Sequence, residues 1–481
     1  MQNTITREAR SVFFITIGTL AVLGIILIAR AATNMTPQLT VIIILGLAIA
    51  ILSFFKQDIA AVAIIFSMIL SPEIKLAGMP GRDVVIRFDD ILLIVFFLTW
   101  LFKMAYFKNL SLLRITPLNI PILFYIVIAM IATWKGAALG HVNILKSSLY
   151  FFKYVEYFMI YFMFSNLIKT SEQLRKFLIA FFVAAAIVSL FGVYQIYLGV
   201  PRITAPFEGP RGEANTFGGY LLLIIGITSV STLKAPTPAI RNAFALASVY
   251  LMLILIATYS RSSYAGLAFL GLVCLAFARQ KQRLLIITGI IIVLLLSPFI
   301  APKKVKDRVT APFTGTTQEV APGLNLNVED SSYVKVNSAR AILKYWTLNP
   351  IIGKGITSMG LVDTQYPLIL GEMGLLGLLA FIWIIWTAYK SAFQSLRYLE
   401  KGKEPWIWFW SAVVAGYCCA LAGLLVHAIG SNTFIIVRIM EPFYFLTAVV
   451  VSIPKVIIVT QKEAEKPKRR YALQPWIDNK I

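Results

Sequence analysis

This chain is short of acids, histidine and cysteine. Only 22 of its 481 residues are Asp or Glu, against 44 Lys and Arg, and it holds two histidines and three cysteines. Cys274, Cys418 and Cys419 lie in apolar segments without Cys-x-x-Cys spacing. That excludes a disulfide framework and a thiolate metal site, and leaves small packing residues. His427 falls at the end of an apolar segment and reads as a hydrogen-bonded packing residue, and His141 as a loop residue. No nucleotide-binding glycine loop is present. Gly353-Lys354-Gly355 is too short for one and reads as a turn, and Gly374-Leu375-Leu376-Gly377 reads as close helix packing. No Asp-x-Asp pair for a divalent metal occurs, since Asp89 and Asp90 are adjacent and open a helix. Strands of alternating hydrophobicity are missing too, which excludes a membrane β-barrel.

Apolar residues are abundant. They make up 59% of the chain, charged residues only 14%, and the mean hydropathy is +0.80. A soluble domain of this length cannot solvate so much apolar surface, so the bilayer is the solvent. A spanning helix needs roughly 20 mostly apolar residues, and the chain holds about 12–14 such segments. They begin near Val12, Thr40, Ile59, Ile91, Leu118, Ser147, Leu174, Thr216, Ala243, Ser263, Leu284, Tyr366, Trp406 and Phe434. The fold class is therefore all-α and polytopic. The first run, Val12 to Ala29, is long for a signal peptide and reads as a retained helix.

The formal charge of +22 does not point to nucleic acid, because much of the excess sits in short connections and the tail. With the N-terminus in the cytoplasm, the inside connections carry Lys103, Lys108 and Arg114; Lys169, Arg175 and Lys176; Arg279, Lys281 and Arg283; and Arg397, Lys401 and Lys403. The tail with Lys466, Lys468, Arg469 and Arg470 is also inside, which requires an even number of spans. Arg202, Arg211, Arg261 and Arg340 then share the outer face, where fixed cations suit an anion.

Four segments on that face carry candidate chemistry. Arg202 to Asn215 is a Pro/Gly-rich turn whose arginines offer guanidinium forks, with backbone donors at the helix start beside Asn215. Lipid headgroup binding or snorkelling is the structural alternative for these arginines. Thr258 to Ser263 joins two apolar runs so tightly that Arg261, beside Ser260, sits at or near membrane depth, where a charge is functional by default. The polar segment 301–363 is far longer than an ordinary loop. Within it Ser331 to Leu348 has helical period, with Val336, Ala339, Ile342, Leu343 and Trp346 on one arc, Arg340 and Lys344 at its edge and Lys335 interrupting it. That helix lies on the leaflet or caps a cavity. Asn349 to Gly355 ends it in a tight turn. Last come Asp363, either a helix N-cap or a functional carboxylate, then Tyr366, and Glu372 inside apolar sequence, where it pairs with an arginine or lines a cavity. Lys153 with Glu156 and Arg438 with Glu441 are spaced for intrahelical ion pairs.

These pieces, in this order over Arg202 to Leu379, resemble the O-antigen ligase and O-antigen polymerase family of bacterial envelopes. They are the Arg/Gly/Asn segment, Ser260-Arg261, the large outer loop with Arg340, the Asn-Pro-x-x-Gly-x-Gly turn at Asn349, and Tyr366 with Glu372-x-Gly374-x-x-Gly377. The N-terminal half matches by hydropathy and by Arg87-x-x-Asp90. The resemblance implies a GT-C-like bacterial inner-membrane enzyme with both termini cytoplasmic. Residues 1–200 would be N-terminal transmembrane helices, 201–390 the catalytic region with periplasmic loop 301–363, 391–460 the C-terminal transmembrane helices, and 461–481 a basic cytoplasmic tail. It implies transfer of a glycan from a polyprenyl diphosphate to an acceptor hydroxyl on another glycan or on lipid A core, with no cofactor. Membrane lipids and a chain-length regulator are the further partners.

In that reaction Arg211 and Arg261 would stabilise the departing diphosphate. Arg202 and Arg340 would support them, with Asn215, Ser260, Tyr366 and Glu372 around the substrate. Such cations would do a metal's electrostatic work, in keeping with the missing Asp-x-Asp. The family's usual His-Asn pair is Asp363-Thr364 here, so Asp363 is the candidate base, with Glu372 or a water as the alternatives, and ligase and polymerase both stay open. Beside arginines a carboxylate's pKa falls, so Asp363 would orient the acceptor more than deprotonate it. The alternative class is a multi-helix transporter or flippase of lipid-linked oligosaccharide, which internal repeats would signal; no clear repeat is present.

Overall fold

The computed structural model describes residues 48–77, 84–106, 115–208, 212–300, 306–307, 310, 317–321, 324–327, 330–360, 362–400 and 406–465. The expected helix at Val12, Arg211 and the basic tail lie outside them. The described chain is a bundle of helices in this order: α1 Gln57–Leu70, α2 Phe88–Tyr106, α3 Asn119–Ala138, α4 Ile144–Leu167, α5 Ser171–Tyr197, α6 Ala214–Lys234, α7 Pro238–Ala257, α8 Arg261–Phe277, α9 Gln280–Ile300, α10 Asp330–Trp346, α11 Gln365–Leu399, α12 Ile407–His427 and α13 Val437–Glu465. Seven described helices are long and apolar enough to cross a membrane: α3, α5, α6, α7, α11, α12 and Val437–Ile457 of α13. The protein is thus a multi-pass membrane protein whose described spans are all helices.

Each helix start read from hydropathy between Ile59 and Phe434 has a helix beginning within a few residues of it. Many true starts lie earlier, because the caps are polar. Thr170 and Gln173 form a reciprocal capping box at α5, Thr237 caps α7 ahead of Pro238, and Ser260 caps α8. Two short hairpins were not expected: β1 Glu73–Ala77 with β2 Val84–Arg87, and β3 Thr317–Ala321 with β4 Leu324–Asn327.

Helix α12 is the centre of the bundle, packed between α6 and α8. Small residues set these approaches. A Cβ on Gly416 would lie 2.5 Å from the Ile227 Cα, and one on Gly423 2.9 Å from the Gly266 carbonyl oxygen. In a lipid solvent, where burial of apolar side chains does not drive association, such backbone contact is what holds helices together.

Helix α11 is broken at Gly374, whose φ of 65° and ψ of −164° only glycine adopts readily. A broken helix in a bilayer must find other partners for its freed amides and carbonyls. The turn after α10 supplies them. The amides of Leu375 and Leu376 donate to the carbonyls of Pro350 (2.8 Å) and Ile351 (3.1 Å), and those of Lys354 and Gly355 donate to Gly371 (3.0 Å) and Glu372 (2.8 Å). Gly374 is therefore a kink rather than the helix-packing glycine expected from its spacing. The same turn is tied to α3, where Lys135 Nζ donates to Asn349 Oδ1 at 3.0 Å.

Candidate functional site

Consecutive antiparallel helices bring the starts of α6, α8 and α11 and the ends of α7 and α12 to one end of the bundle. The α7–α8 connection is only Thr258, Tyr259 and Ser260, and Tyr259 makes the reversal in the left-handed region (φ 50°). The buried Ser260 hydroxyl donates to Asn215 Oδ1 at 2.7 Å and accepts from the Ser263 hydroxyl at 2.7 Å. It also accepts from the Ser263 amide at 3.2 Å. Both lone pairs and the proton of Ser260 are thereby used. Its work is to join α6 to α8 and to orient Asn215 and the adjacent Arg261.

Arg261 is half-buried at the first turn of α8. Arg202 reaches the same place from the connection before α6, its Nε donating to the Thr258 carbonyl at 3.4 Å. That connection is itself anchored from behind. Arg438, buried at the start of α13, donates to the carbonyls of Pro206 (2.6 Å), Phe207 (3.2 Å), Ile69 (3.0 Å) and Ser71 (3.1 Å). It also stands 4.0 Å from Glu208, whose carboxylate accepts from the Glu213 amide at 2.9 Å. The expected Arg438–Glu441 pair gives way to these contacts, and Glu441 instead faces Arg87 at 3.6 Å. The Lys153–Glu156 pair forms as expected, at 3.1 Å, and Lys153 also bonds Asp90.

Helix α10 adds the residue that sequence reasoning passed over. Lys335 donates to the Gly430 carbonyl at 2.7 Å and its ammonium is 4.0 Å from the Asp363 carboxylate. Burial holds Lys335 below its ordinary pKa. Asp363 opposes this, Arg261 and Arg202 add to it, and Glu213 opposes it. Those influences define the neighbourhood: three cations, Arg202, Arg261 and Lys335, with the carboxylates of Asp363 and Glu213. At about 100° per residue, Lys335, Ser338, Ala339, Ile342 and Trp346 share the inward face of α10, on which Ile342 is 3% exposed. Val336 and Leu343, expected on that face, are exposed. Lys335 lies in the middle of the packed arc instead of interrupting it.

Of the residues proposed from sequence, Arg202, Asn215, Ser260, Arg261 and Asp363 come together here. Asp363 does not cap α11; Thr364 holds that position, without a side-chain cap bond. The Asp363 side chain is 68% exposed. Arg340 is exposed and lies about 140° around α10 from Lys335 by the helical repeat. Tyr366 donates to the Leu425 carbonyl at 2.6 Å. Glu372 is buried and its Oε1 accepts from the Thr357 amide at 2.7 Å, which makes it a clasp for the turn after α10. His427 packs as expected, buried, with Nδ1 2.6 Å from Thr433 Oγ1. Among the described residues no three His, Cys, Asp or Glu side chains are grouped to hold a metal ion. Neither a family model nor a curated protein matches the chain.

Proposed function

We propose that the protein is a membrane glycosyltransferase that moves a glycan from a polyprenyl diphosphate to an acceptor hydroxyl at the outer face of the bacterial inner membrane. What supports this is the convergence of Arg202, Arg261 and Lys335 beside the exposed Asp363 carboxylate. Two guanidinium groups and an ammonium in one neighbourhood offer the charged donors that a diphosphate's oxygens accept. In the reaction the acceptor oxygen bonds to the anomeric carbon of the donor. The bond from that carbon to the diphosphate breaks, and the diphosphate leaves with the electron pair. Negative charge grows on its oxygens, where preorganised guanidinium and ammonium donors stabilise the transition state. Asp363 faces solvent and accepts a hydrogen bond from the incoming hydroxyl, whose proton passes to it or to water.

The experiment is to incubate the purified protein with a polyprenyl-diphosphate glycan and an acceptor, without added metal or nucleotide. A ladder of longer chains identifies a polymerase, and a single addition to lipid A core a ligase. Movement of unchanged donor across a vesicle membrane, with no new glycosidic bond, would overturn the proposal in favour of a flippase.

A further inference from the structure

A cleft of about 280 Å³ opens between α10 and the segment that follows the Asn349–Gly355 turn. It starts one turn along α10 from Lys335, at Ser338, and Val362 on its other wall directly precedes Asp363 in the chain. The cleft therefore leads away from the cation cluster on the side of the carboxylate. Its floor is apolar, from Ile342 and Met359, both packed on Gly371 of α11, where a Cβ would meet each at 2.7 Å. Ala341 and Val362 add to the apolar lining, and Ser338, Tyr345, Lys354 and Ser358 supply its polar groups.

Two features of that lining bear on what it can bind. The Ser358 hydroxyl oxygen is buried and has no hydrogen-bond partner among the described residues, and an unmet buried polar atom is costly. Lys354 places its ammonium 4.6 Å from the centre of the Tyr345 ring, and the described lining residues include no carboxylate. The volume of about 280 Å³ lies just below the roughly 300–1,000 Å³ of ligand pockets, which suits a single ring. An aromatic face, two hydroxyls and an apolar floor suit a pyranose, whose faces carry C–H groups and whose rim carries hydroxyls. A carboxylate brought to Lys354 lays its own ring against Tyr345.

We infer that this cleft is a binding subsite for a carboxylated sugar ring, held by Lys354, Tyr345, Ser338 and Ser358. Taking that sugar to be a unit of the acceptor glycan rests on the transferase reading above; the ligand chemistry of the cleft does not.

The test is saturation-transfer NMR on the full chain in detergent, with methyl β-D-glucuronide, methyl β-D-glucoside and inorganic phosphate as probes. The glucuronide should bind in preference to the glucoside. Lys354→Gln should weaken it at least about tenfold, the loss expected for one charge-assisted hydrogen bond. Tyr345→Ala, at a half-exposed helix surface position, should weaken it too, and carries the test if Lys354→Gln does not fold. Lys344→Gln, on the outward face of α10, should leave binding unchanged. Equal binding of the two glycosides, insensitivity to both cleft variants, or equal displacement by phosphate would each overturn the inference. A protein that binds the glucuronide but forms no glycosidic bond with any polyprenyl-diphosphate donor overturns the transferase reading and leaves the subsite standing.

Discussion

The ammonium of Lys335 stands 4.0 Å from the carboxylate of Asp363 while donating to the Gly430 carbonyl at 2.7 Å. One side chain thus fastens the amphipathic helix α10 to the α12–α13 connection and holds a third cation beside Arg202 and Arg261. The Asp363 side chain is 68% exposed, so water screens the pair and it adds little to stability. Its consequence is positional. The carboxylate is kept at the edge of the cation cluster, where the proposed reaction needs an acceptor for the proton of the incoming hydroxyl.

Lys335 should shape the alkaline side of the pH profile. Its pKa lies below the ordinary lysine value of about 10.4, from burial first. The ammonium is therefore lost earlier on raising pH than at a free lysine, and kcat/KM for transfer should fall with it. Lys335→Arg, which stays charged, should move that fall to higher pH. An identical profile in the variant removes Lys335 from the reaction. The sign for stability is opposite. Between the lowered pKa and the ordinary one the unfolded chain binds more protons, so the lysine's contribution to stability rises with pH in that window.

Arg261 should separate activity from stability. Removing one preorganised donor to a developing anion typically costs about 10²–10³ in kcat, and Arg261→Ala should lose at least that. Yet Arg261 is the first residue of α8, where a cation opposes the positive end of the helix dipole. The variant's thermal midpoint in detergent should stay level or rise. A parallel loss of activity and midpoint would mark Arg261 as structural.

Asp363→Asn should lower kcat with little change in the binding of a polyprenyl diphosphate, read by titration with the lipid alone. The amide keeps an acceptor for the hydroxyl but gives up the charge. Unchanged turnover would leave Asp363 without a part in the chemistry.

Hydropathy and cap residues made the helices legible, because a spanning segment must satisfy every backbone group within itself. The tight α7–α8 reversal that places Arg261 was legible because only three residues join the two apolar runs. Lys335 was not. A lysine among apolar positions looks like an interruption, and only the carbonyl of Gly430, far along the chain, makes it an inward-facing one. Glu372 was legible as a carboxylate in apolar sequence, but its bond from the Thr357 amide was not, because the two meet only through the kink at Gly374. The hairpins escaped notice because they are short and lack strict alternation.

The clasp at α11 predicts two graded losses. Glu372→Gln keeps an oxygen for the Thr357 amide and should be mild, whereas Glu372→Ala leaves a buried donor unmet and should cost about 1–3 kcal/mol. Gly374→Ala should be worse. A Cβ there would lie 2.4 Å from the Ile351 carbonyl oxygen in a conformation reserved for glycine. Thermal unfolding in detergent ranks the three, and a Gly374→Ala protein as stable as wild type would contradict the kink.

Arg438 should act on the site without touching substrate. Its guanidinium satisfies four backbone carbonyls at 2.6–3.2 Å, two from the segment that carries Arg202 and two from the end of α1. An ammonium is a compact donor that cannot span four acceptors in one plane. Arg438→Lys should therefore keep a buried charge but release the Arg202 segment, raising KM for the donor several-fold more than it lowers kcat. Arg438→Ala leaves the carbonyls unmet and should also drop the thermal midpoint. The double variant Arg438→Lys/Arg202→Ala decides between routes. If Arg438 works by placing Arg202, the lysine substitution should add little once Arg202 is gone. Full additivity in KM would instead make Arg438 an independent support of the fold.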